Sequence, residues 1–449
     1  MRIRLARRLS PVLLAAGGML LPGLAAAQAA PQDEPPAKRG RLTIGQQIAV
    51  DNGDVIGITP IDLEFQSGSR IQTLQFSMSM PLEMNDPEES RFVSLGDAQA
   101  RLLYRRGVRN SAVEAELGYR ESDVDDDILF DPESNSLVTL DGGRVAYSNA
   151  RIGYVFGQQA KLGGELGFGY SRRDYTGTTD PSLTDSRTRE GHATLYLEPT
   201  PLVRARILAS ESRTDSDGGT DSRISRAGAG ASIQLGKLTN LDLELARSDI
   251  RREEDDGSEE RARGPSYRLN LTHARPTGDW SLSLSSDPGT QGRRGNFTLG
   301  RALETPQYRL SVSLGVSHFQ DGYDPIFQIG YDRTLSDLSK FQASLRRAAV
   351  TDDDGDEAIN TDLSAGYSRQ IGRLSSFSAD IRYRESEVQA GDGQDARTLA
   401  LSLSYSRAIY SELSLVAGAN VIRGKNSDGT RDDDERIWLG LSRSFDWLP

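Results

Sequence analysis

Two runs of alternating apolar and polar residues, both between Arg397 and Ile422, constrain the fold of this chain most strongly. In the first run the apolar residues stand at odd positions, as at Leu399 and Leu401, while the even positions carry mainly hydroxyl groups. After a break at 410–411 the odd positions are apolar again. Strict period-two alternation indicates β-strands with one apolar and one polar face. Each run has about ten residues, the length of a tilted strand that crosses a hydrocarbon layer.

The composition is polar for a chain of 449 residues, with 36% hydrophobic residues, a net charge of −12 and a mean hydropathy of −0.51. A low mean hydropathy combined with strong local alternation of apolar and polar residues is typical of a transmembrane β-barrel, because half of each strand faces water. The acidic balance argues against a nucleic-acid partner. The chain has no cysteine, which excludes disulfides, zinc–cysteine sites and cysteine nucleophiles.

The N-terminus predicts a secreted protein. Residues 1–27 combine a basic start, a short apolar run and Ala25–Ala27 as a small-residue cleavage site, which is the pattern of a signal peptide. The segment 28–40 is rich in proline and charge and predicts a flexible mature N-terminus, too short for a plug domain. No other apolar run approaches the roughly 18 residues of a transmembrane helix. The remaining segment, 41–449, is predicted to form the barrel.

The alternation recurs along the whole chain and predicts an all-β fold, a single large antiparallel transmembrane β-barrel of about 22 strands, with 20 as the lower bound. The strand candidates are 41–50, 55–66, 74–84, 98–104, 113–119, 143–156, 161–171, 189–198, 202–212, 223–235, 239–248, 265–274, 280–286, 294–304, 308–319, 325–335, 339–349, 359–371, 375–385, 398–408, 412–422 and 435–446.

The connections between these candidates alternate in length. One set consists of tight turns such as 236–238 and 372–374. Short turns on one side and long loops on the other are typical of outer-membrane barrels, with the turns in the periplasm and the loops outside the cell. The other set is mostly longer and acidic, and comprises 123–142, 172–188, 213–222, 249–264, 351–358, 386–397 and 423–434.

A repeat marks the strand ends beside the tight turns. Five strands end with an arginine two residues after Leu or Tyr, and successive arginines are 32, 36, 38 and 36 residues apart. We interpret the aromatic residues as a periplasmic girdle and the arginines as ligands of lipid phosphates. The alternative is a soluble β-repeat protein, but the repeats of such proteins are usually shorter than the 32–38 residues found here. The predicted girdle residues are Tyr331, Arg333, Tyr367, Arg369, Tyr405, Arg407, Arg443 and Phe445.

The strand face opposite the apolar one is predicted to line the lumen. It carries charges of both signs, and also runs of serine at 281–285 and 402–406. Such a lining suits a water-filled interior, although the same residues can simply pair across strands. The predicted lumen-lining residues are Arg101, Arg105, Glu114, Glu116, Arg204, Arg206, Asp242, Glu244, Lys340, Arg346, Asp380, Arg382 and Arg384.

No catalytic or metal centre is predicted. The three histidines, His192, His273 and His318, belong to different strands at different heights, and no nucleophile–base arrangement stands out. The acidic loops offer carboxylates for loose Ca²⁺ or Mg²⁺ binding, but none has the spacing of an EF-hand. We therefore expect no enzyme activity and no cofactor.

The last strand, Ile437 to Phe445, and the stretch from Asp97 to Asp123 resemble uncharacterised outer-membrane barrels of alphaproteobacterial type. The resemblance implies an outer-membrane location, contact with lipid and lipopolysaccharide, and recognition of the last strand by the barrel-insertion machinery. This chain departs from the terminal pattern because Asp446 and Trp447 follow Phe445, so either Phe445 or Trp447 is the final aromatic.

The predicted function is a porin-like passive channel for hydrophilic solutes. Two alternatives remain open at this point. One is a conduit for exopolysaccharide export, which a narrow constriction of one charge sign would favour. The other is a structural or adhesin-like surface barrel with a closed lumen.

Overall fold

A computed structural model gives the fold of the chain and describes residues 38–84, 93–124, 143–178, 183–254, 257–320, 322–351, 357–390, 395–426 and 431–447. The predicted signal peptide and nearly all of the predicted flexible N-terminus lie outside these residues. Among the described residues, no helix is long and apolar enough to cross a membrane.

The described chain forms 23 β-strands in one sheet. They are β1 (Arg39–Asp51), β2 (Asp54–Gly68), β3 (Gln72–Met84), β4 (Val93–Leu95), β5 (Gln99–Val108), β6 (Ser111–Asp123), β7 (Arg144–Phe156), β8 (Leu162–Thr176), β9 (Ser186–Thr200), β10 (Val203–Ser216), β11 (Asp221–Gln234), β12 (Thr239–Glu253), β13 (Glu259–Arg275), β14 (Gly278–Gly289), β15 (Gly292–Glu304), β16 (Tyr308–Phe319), β17 (Gly322–Ser336), β18 (Ser339–Thr351), β19 (Glu357–Ile371), β20 (Ser375–Ala390), β21 (Ala396–Ala408), β22 (Leu413–Asn426) and β23 (Arg431–Trp447).

The sheet closes on itself. From β5 onward each strand pairs antiparallel with the next, and β23 pairs with β1 from Gly40↔Trp447 to Asp51↔Arg436. Both β4 and β5 pair with β3, so they occupy one position in the wall and are separated by a break at 96–98. The barrel therefore has 22 strand positions, which confirms the predicted fold class.

The long connections lie at one end of the barrel, which we call the long-loop end. At this end the strands extend further than the alternation predicted. The predicted loop 249–264 is mostly strand, because β12 runs to Glu253 and β13 begins at Glu259. The predicted loop 213–222 is likewise reduced to 217–220 between β10 and β11. These loop predictions were too long because the outward residues there are charged, so the apolar signal stops while backbone pairing continues.

The two faces of the wall differ in exposure. On β12 the side chain of Leu245 is 63% exposed, whereas Ala246 beside it is 5% exposed. Large apolar side chains are exposed on the same outer face around the barrel, for example Ile48, Ile207 and Ile437. A band of this extent on a closed barrel is the surface that faces lipid. The opposite, inner face carries the polar residues of each strand.

Aromatic residues collect at the opposite end of the barrel, which we call the short-turn end. The ring of Tyr331 lies 6.2 Å from that of Phe341, and the guanidinium of Arg443 lies 4.8 Å from the ring centre of Phe445. The repeat arginines Arg333 and Arg369 pair in register with an aromatic residue of the next strand. The structure thus places these residues at the short-turn end. Their role as a periplasmic girdle stays a prediction.

The closure between β1 and β23 can be tested with cysteines, because the chain has none of its own. Thr43 and Ser444 are register partners whose hydroxyl oxygens lie 3.0 Å apart, which suits a disulfide. We expect the double variant Thr43→Cys/Ser444→Cys to form an intramolecular disulfide on oxidation, detected as a change in gel mobility that reductant reverses.

The control for this closure test is Thr43→Cys/Ser442→Cys, which places the second thiol two residues away on the same face of β23. Diagonal positions lie about 7–8 Å apart, beyond the reach of an unstrained disulfide. Equal crosslinking of both variants, or of neither, would contradict the register of the closing pair.

Candidate functional site

The inner face of the wall holds a network of charges centred on Arg206 of β10. Its guanidinium donates two hydrogen bonds to Asp242, with N–O distances of 2.7 and 2.8 Å, and a third to Glu244 at 2.9 Å. Arg226 donates to the other carboxylate oxygen of Glu244 at 2.7 Å and approaches Asp287 at 3.5 Å. The network thus ties four strands together, β10, β11, β12 and β14.

A glycine makes this reach possible. Asp242 and Glu244 are on β12, two strands away from β10, so the side chain of Arg206 must cross the inner face of β11. Gly230 is the residue of β11 that the Arg206 side chain passes over, and a Cβ at this position would stand 2.9 Å from the Arg206 guanidinium carbon. A Cβ at position 230 would also stand 2.6 Å from the backbone oxygen of Leu243, so a larger residue there would force Arg206 or the β12 backbone to shift.

The network is shielded from water. The Glu244 side chain is 9% exposed and that of Arg206 is 13% exposed. Charges in such a place are stabilised only while their partners remain, since their own hydration is mostly lost. The bidentate geometry of Arg206 and Asp242 also fixes the direction of the guanidinium.

Four other predicted lumen-lining residues form two separate pairs on the same face. On β5 and β6, Arg101 binds Glu116 at 2.8 Å and Arg105 binds Glu114 at 2.9 Å. The structure thus brings the predicted residues together in local pairs around the wall rather than in one centre.

Arg204, on the same strand as Arg206, binds Glu198. Further around the wall the predicted charges are spaced more widely, and Arg384 binds Asp362 at 2.6 Å. Asp380 and Arg382 lie on β20, while Lys340 and Arg346 lie on β18 opposite Ser368 and Asp362 in register.

From β14 to β22 much of the inner face is lined by small hydroxyl groups. Ser344 and Ser364 share a hydrogen bond of 2.7 Å, and Ser378 and Ser404 share one of 2.6 Å. The predicted serine runs 281–285 and 402–406 belong to this sector. The inner wall therefore combines a charge-paired region on β5–β14 with a region from β14 to β22 where serine hydroxyls are interspersed with the charges of β18–β20.

The sequence analysis missed several members of the charged sector. Arg226 and Asp362 are partners of the predicted residues Glu244 and Arg384, and Asp287 is a partner of Arg226. Each of the three lies on a strand with few other inward charges. The sequence did contain a hint of the role of Arg226, because the glycines at 228 and 230 leave space on the inner face of β11. Of the three histidines, His192 lies 3.6 Å from Glu165.

A further group of charges lies at the long-loop end. Arg436 binds Asp51 at 2.6 Å and Glu83 at 3.3 Å, and Arg144 lies 3.7 Å from Asp97. Asp97 lies in the break between β4 and β5. Burial raises the pKa of Asp97 to about 6, and the neighbouring Asp123 carboxylate adds to this effect. Mild acid is therefore expected to change the charge of Asp97 at this mouth of the barrel.

Over the described ranges, no group of three or more histidine, aspartate or glutamate side chains is arranged to hold a metal ion. Most of the predicted acidic connection 351–358 lies outside the described residues.

The fold has known relatives in structure, though none in sequence. No protein-family model and no curated protein matches the sequence. The structure is similar to the FrpB iron transporter from Neisseria meningitidis, with 8% identity, a TM-score of 0.57, and coverage of 91% of this chain and 82% of that one. It is also similar to the ferric-catecholate import receptor Fiu from E. coli K12, with 9% identity, a TM-score of 0.57, and coverage of 91% and 81%.

A third similar structure is the siderophore receptor PirA from Acinetobacter baumannii, with 8% identity, a TM-score of 0.55, and coverage of 91% of this chain and 80% of that one. The fold is that of an outer-membrane β-barrel. At these identities the likeness extends to the fold alone. It does not test the predicted resemblance to alphaproteobacterial or porin-like barrels.

The Arg206 network yields a stability prediction. We expect Arg206→Gln to lower the free energy of unfolding by about 3–5 kcal/mol, because it leaves buried carboxylates without their cation. The measurement is urea unfolding of the protein folded into phospholipid vesicles.

The matched control for Arg206→Gln is Arg105→Gln, which removes the same charge from a half-exposed pair and should cost less than about 1 kcal/mol. Equal losses in the two variants would show that the Arg206 network is no more shielded from water than the Arg105 pair.

Proposed function

We propose that this protein is a porin-like barrel of the outer membrane that lets small hydrophilic solutes pass by diffusion. The observation that carries the proposal is the polar inner wall of a closed barrel with 22 strand positions. Barrels of 16–18 strands already leave an aqueous channel. Most of the charges on the inner face are paired with one another, so they line the pathway without giving it one dominant sign.

The proposal includes the placement of the barrel. Residues 1–27 would direct export and be removed, and β23 would be the strand that the barrel-insertion machinery recognises. The short-turn end, with the girdle from Tyr331 to Phe445, would face the periplasm, and the long-loop end would face outward. The role is passage rather than catalysis.

One second candidate is favoured by a specific observation. The similar structures are an iron transporter and receptors for import, and barrels of 22 strands in outer-membrane transporters have a plugged lumen. In that case the barrel would bind and import a ligand rather than conduct freely.

Planar-bilayer recording separates the two candidates. The refolded mature protein, residues 28–449, should give steady conductance steps of nanosiemens scale. Its reversal potential in a salt gradient should lie near zero, because the inner charges are paired. Unfolded protein is the control.

A barrel that is inserted, as shown by heat-modifiable gel migration, but electrically silent would contradict the passive channel. Such a result would favour the second candidate, a barrel that binds and imports a ligand.

A further inference from the structure

The sheet forks at the long-loop end between β17 and β18. Within the described residues, these two strands pair only up to Phe327↔Arg347. Beyond that point β17 stays paired with β16 as far as Gly322, and β18 stays paired with β19 as far as Thr351. A proline marks the fork, because Pro325 has no N–H to donate and proline in sheets is confined mainly to edges, strand starts and bulges. The wall therefore divides here into two groups of strands.

Past the fork, the ends of β18, β19 and β20 lie inside the barrel, against the inner face of β14–β17. We call these ends the inner layer, residues 348–351, 357–361 and 385–390. Glu357 shares a face of β19 with Leu363 of the outer apolar band. Its carboxylate nevertheless meets Arg294 at 2.6 Å, and Arg294 lies on the face of β15 opposite to the exposed Phe297 and Leu299. An outer-face residue of one strand can contact the inner face of another only if its own strand lies nearer the barrel axis.

A second contact repeats this arrangement. Gln389 of β20 donates a hydrogen bond of 2.7 Å to Asp324 of β17. In a single-layered wall β17 and β20 are three positions apart. At the usual strand spacing this is about 14 Å, which an aspartate and a glutamine side chain together cannot bridge. β15 and β19, which carry Arg294 and Glu357, are four positions apart. Both contacts therefore require the overlap.

Burial supports the overlap from both sides. The first four residues of β19, 357–360, are between 0% and 3% exposed, so both faces of the strand are covered. On the wall behind it, the inner-face residues Ser317, Phe319 and Ile326 are between 0% and 9% exposed. Further along β17 toward the short-turn end, Gln328 on the same inner face is exposed. The lumen thus opens again below the overlap.

Polar contacts anchor the inner layer at its tip. Glu357 accepts hydrogen bonds from Arg294 at 2.6 Å and from the Thr351 hydroxyl at 2.9 Å. The Arg294 guanidinium also lies 4.8 Å from the ring centre of Phe319. Glu357 reaches the tight turn between β14 and β15, because a Cβ at Gly289 would stand 3.3 Å from its carboxylate. The side chains of the Arg294–Glu357 pair are 11% and 3% exposed, so loss of either leaves a buried charge without its partner.

The inner layer takes space from the lumen at the long-loop end. Stacked β-sheets pack about 10 Å apart, so a second layer inside the wall removes roughly that width from the opening over β14–β17. A solute that enters at this end must pass beside the layer before it reaches the wider part of the lumen, where inner-face residues such as Gln328 and Ser404 are exposed.

We infer that the inner layer sets the size limit for solutes that enter the barrel at the long-loop end, and that Arg294 and Asp324 hold it in place. The inference deepens the proposed function and rests on it, since a size limit has meaning only for a conducting barrel. Two contacts between non-neighbouring strands fix the layer, so releasing both of them should widen the passage.

Cysteines test the overlap first. In Asp324→Cys/Gln389→Cys the thiols replace two side chains that touch. We expect an intramolecular disulfide on oxidation, detected as a change in gel mobility that reductant reverses. The matched control is Asp332→Cys/Asp380→Cys, on the inner faces of the same two strands below the fork. Its thiols lie about 14 Å apart in the wall and should not crosslink. Absence of the first disulfide, or equal crosslinking of both variants, would overturn the overlap and the inference with it.

The size limit is tested with the layer locked and freed in the same molecules. In the triple variant Asp324→Cys/Glu357→Gln/Gln389→Cys of the full mature protein, the disulfide holds the layer in oxidant, and neither contact holds it in reductant. The readouts are planar-bilayer conductance and liposome swelling with saccharides of graded size. We expect reductant to raise the conductance by about twofold and to admit larger saccharides, because the opening widens.

The control for reductant is Thr43→Cys/Ser444→Cys, whose disulfide joins neighbouring strands within the wall and whose conductance should not change. Heat-modifiable gel migration shows that each variant is folded and inserted. Conductance and size limit that are equal in both redox states of a conducting triple variant would overturn the inference and leave the channel standing. Conductance of the reduced triple variant alone would support the inner layer and contradict a freely open parent barrel. Silence of the parent protein and of the triple variant in both states would overturn both proposals.

Discussion

Closure of the sheet by hydrogen bonds between β1 and β23 is the interaction on which the rest of the structure depends. In hydrocarbon an unpaired backbone N–H or C=O has no water to replace its partner, so a spanning sheet must have no open edge. The pairing from Gly40↔Trp447 to Asp51↔Arg436 satisfies that requirement between residues nearly 400 positions apart in sequence. Phe445 and Trp447 both lie on this closing strand and share its outward face.

Once the wall is closed, alternation gives each strand two different environments. Outward residues meet lipid and are apolar, so the charges that the chain contains are directed inward or beyond the band. Inside, Arg206 is held by two carboxylates across Gly230, and elsewhere serine hydroxyls pair with each other. The same periodicity therefore produces both an apolar outer wall and a polar inner wall whose charges are largely compensated within the protein.

Sequence reasoning predicted most of the fold because the period-two signal is strong wherever an apolar face meets lipid, as at Leu399 and Leu401. It failed where that signal ends. Arg213, Arg251 and Arg261 were placed in loops, since runs of charge resemble solvated connections although the backbone is still paired there. The inner site was predicted in part.

What the sequence could not show at the inner site is which charges meet. The partnership of Arg206 with Asp242 depends on the register of three strands and on a missing side chain at Gly230. Residue types and spacing along one strand contain neither piece of information.

The central claim is that odd and even positions of one strand face lipid and water respectively, and β21 tests it most directly. Single cysteines at Leu399, Leu401, Ser402 and Ser404, in a chain with no native cysteine, can be challenged with a charged, water-soluble thiol reagent in vesicles. The account predicts rapid labelling at Ser402 and Ser404 and protection at Leu399 and Leu401. Equal labelling at all four positions would contradict a membrane-embedded barrel with a water-filled interior.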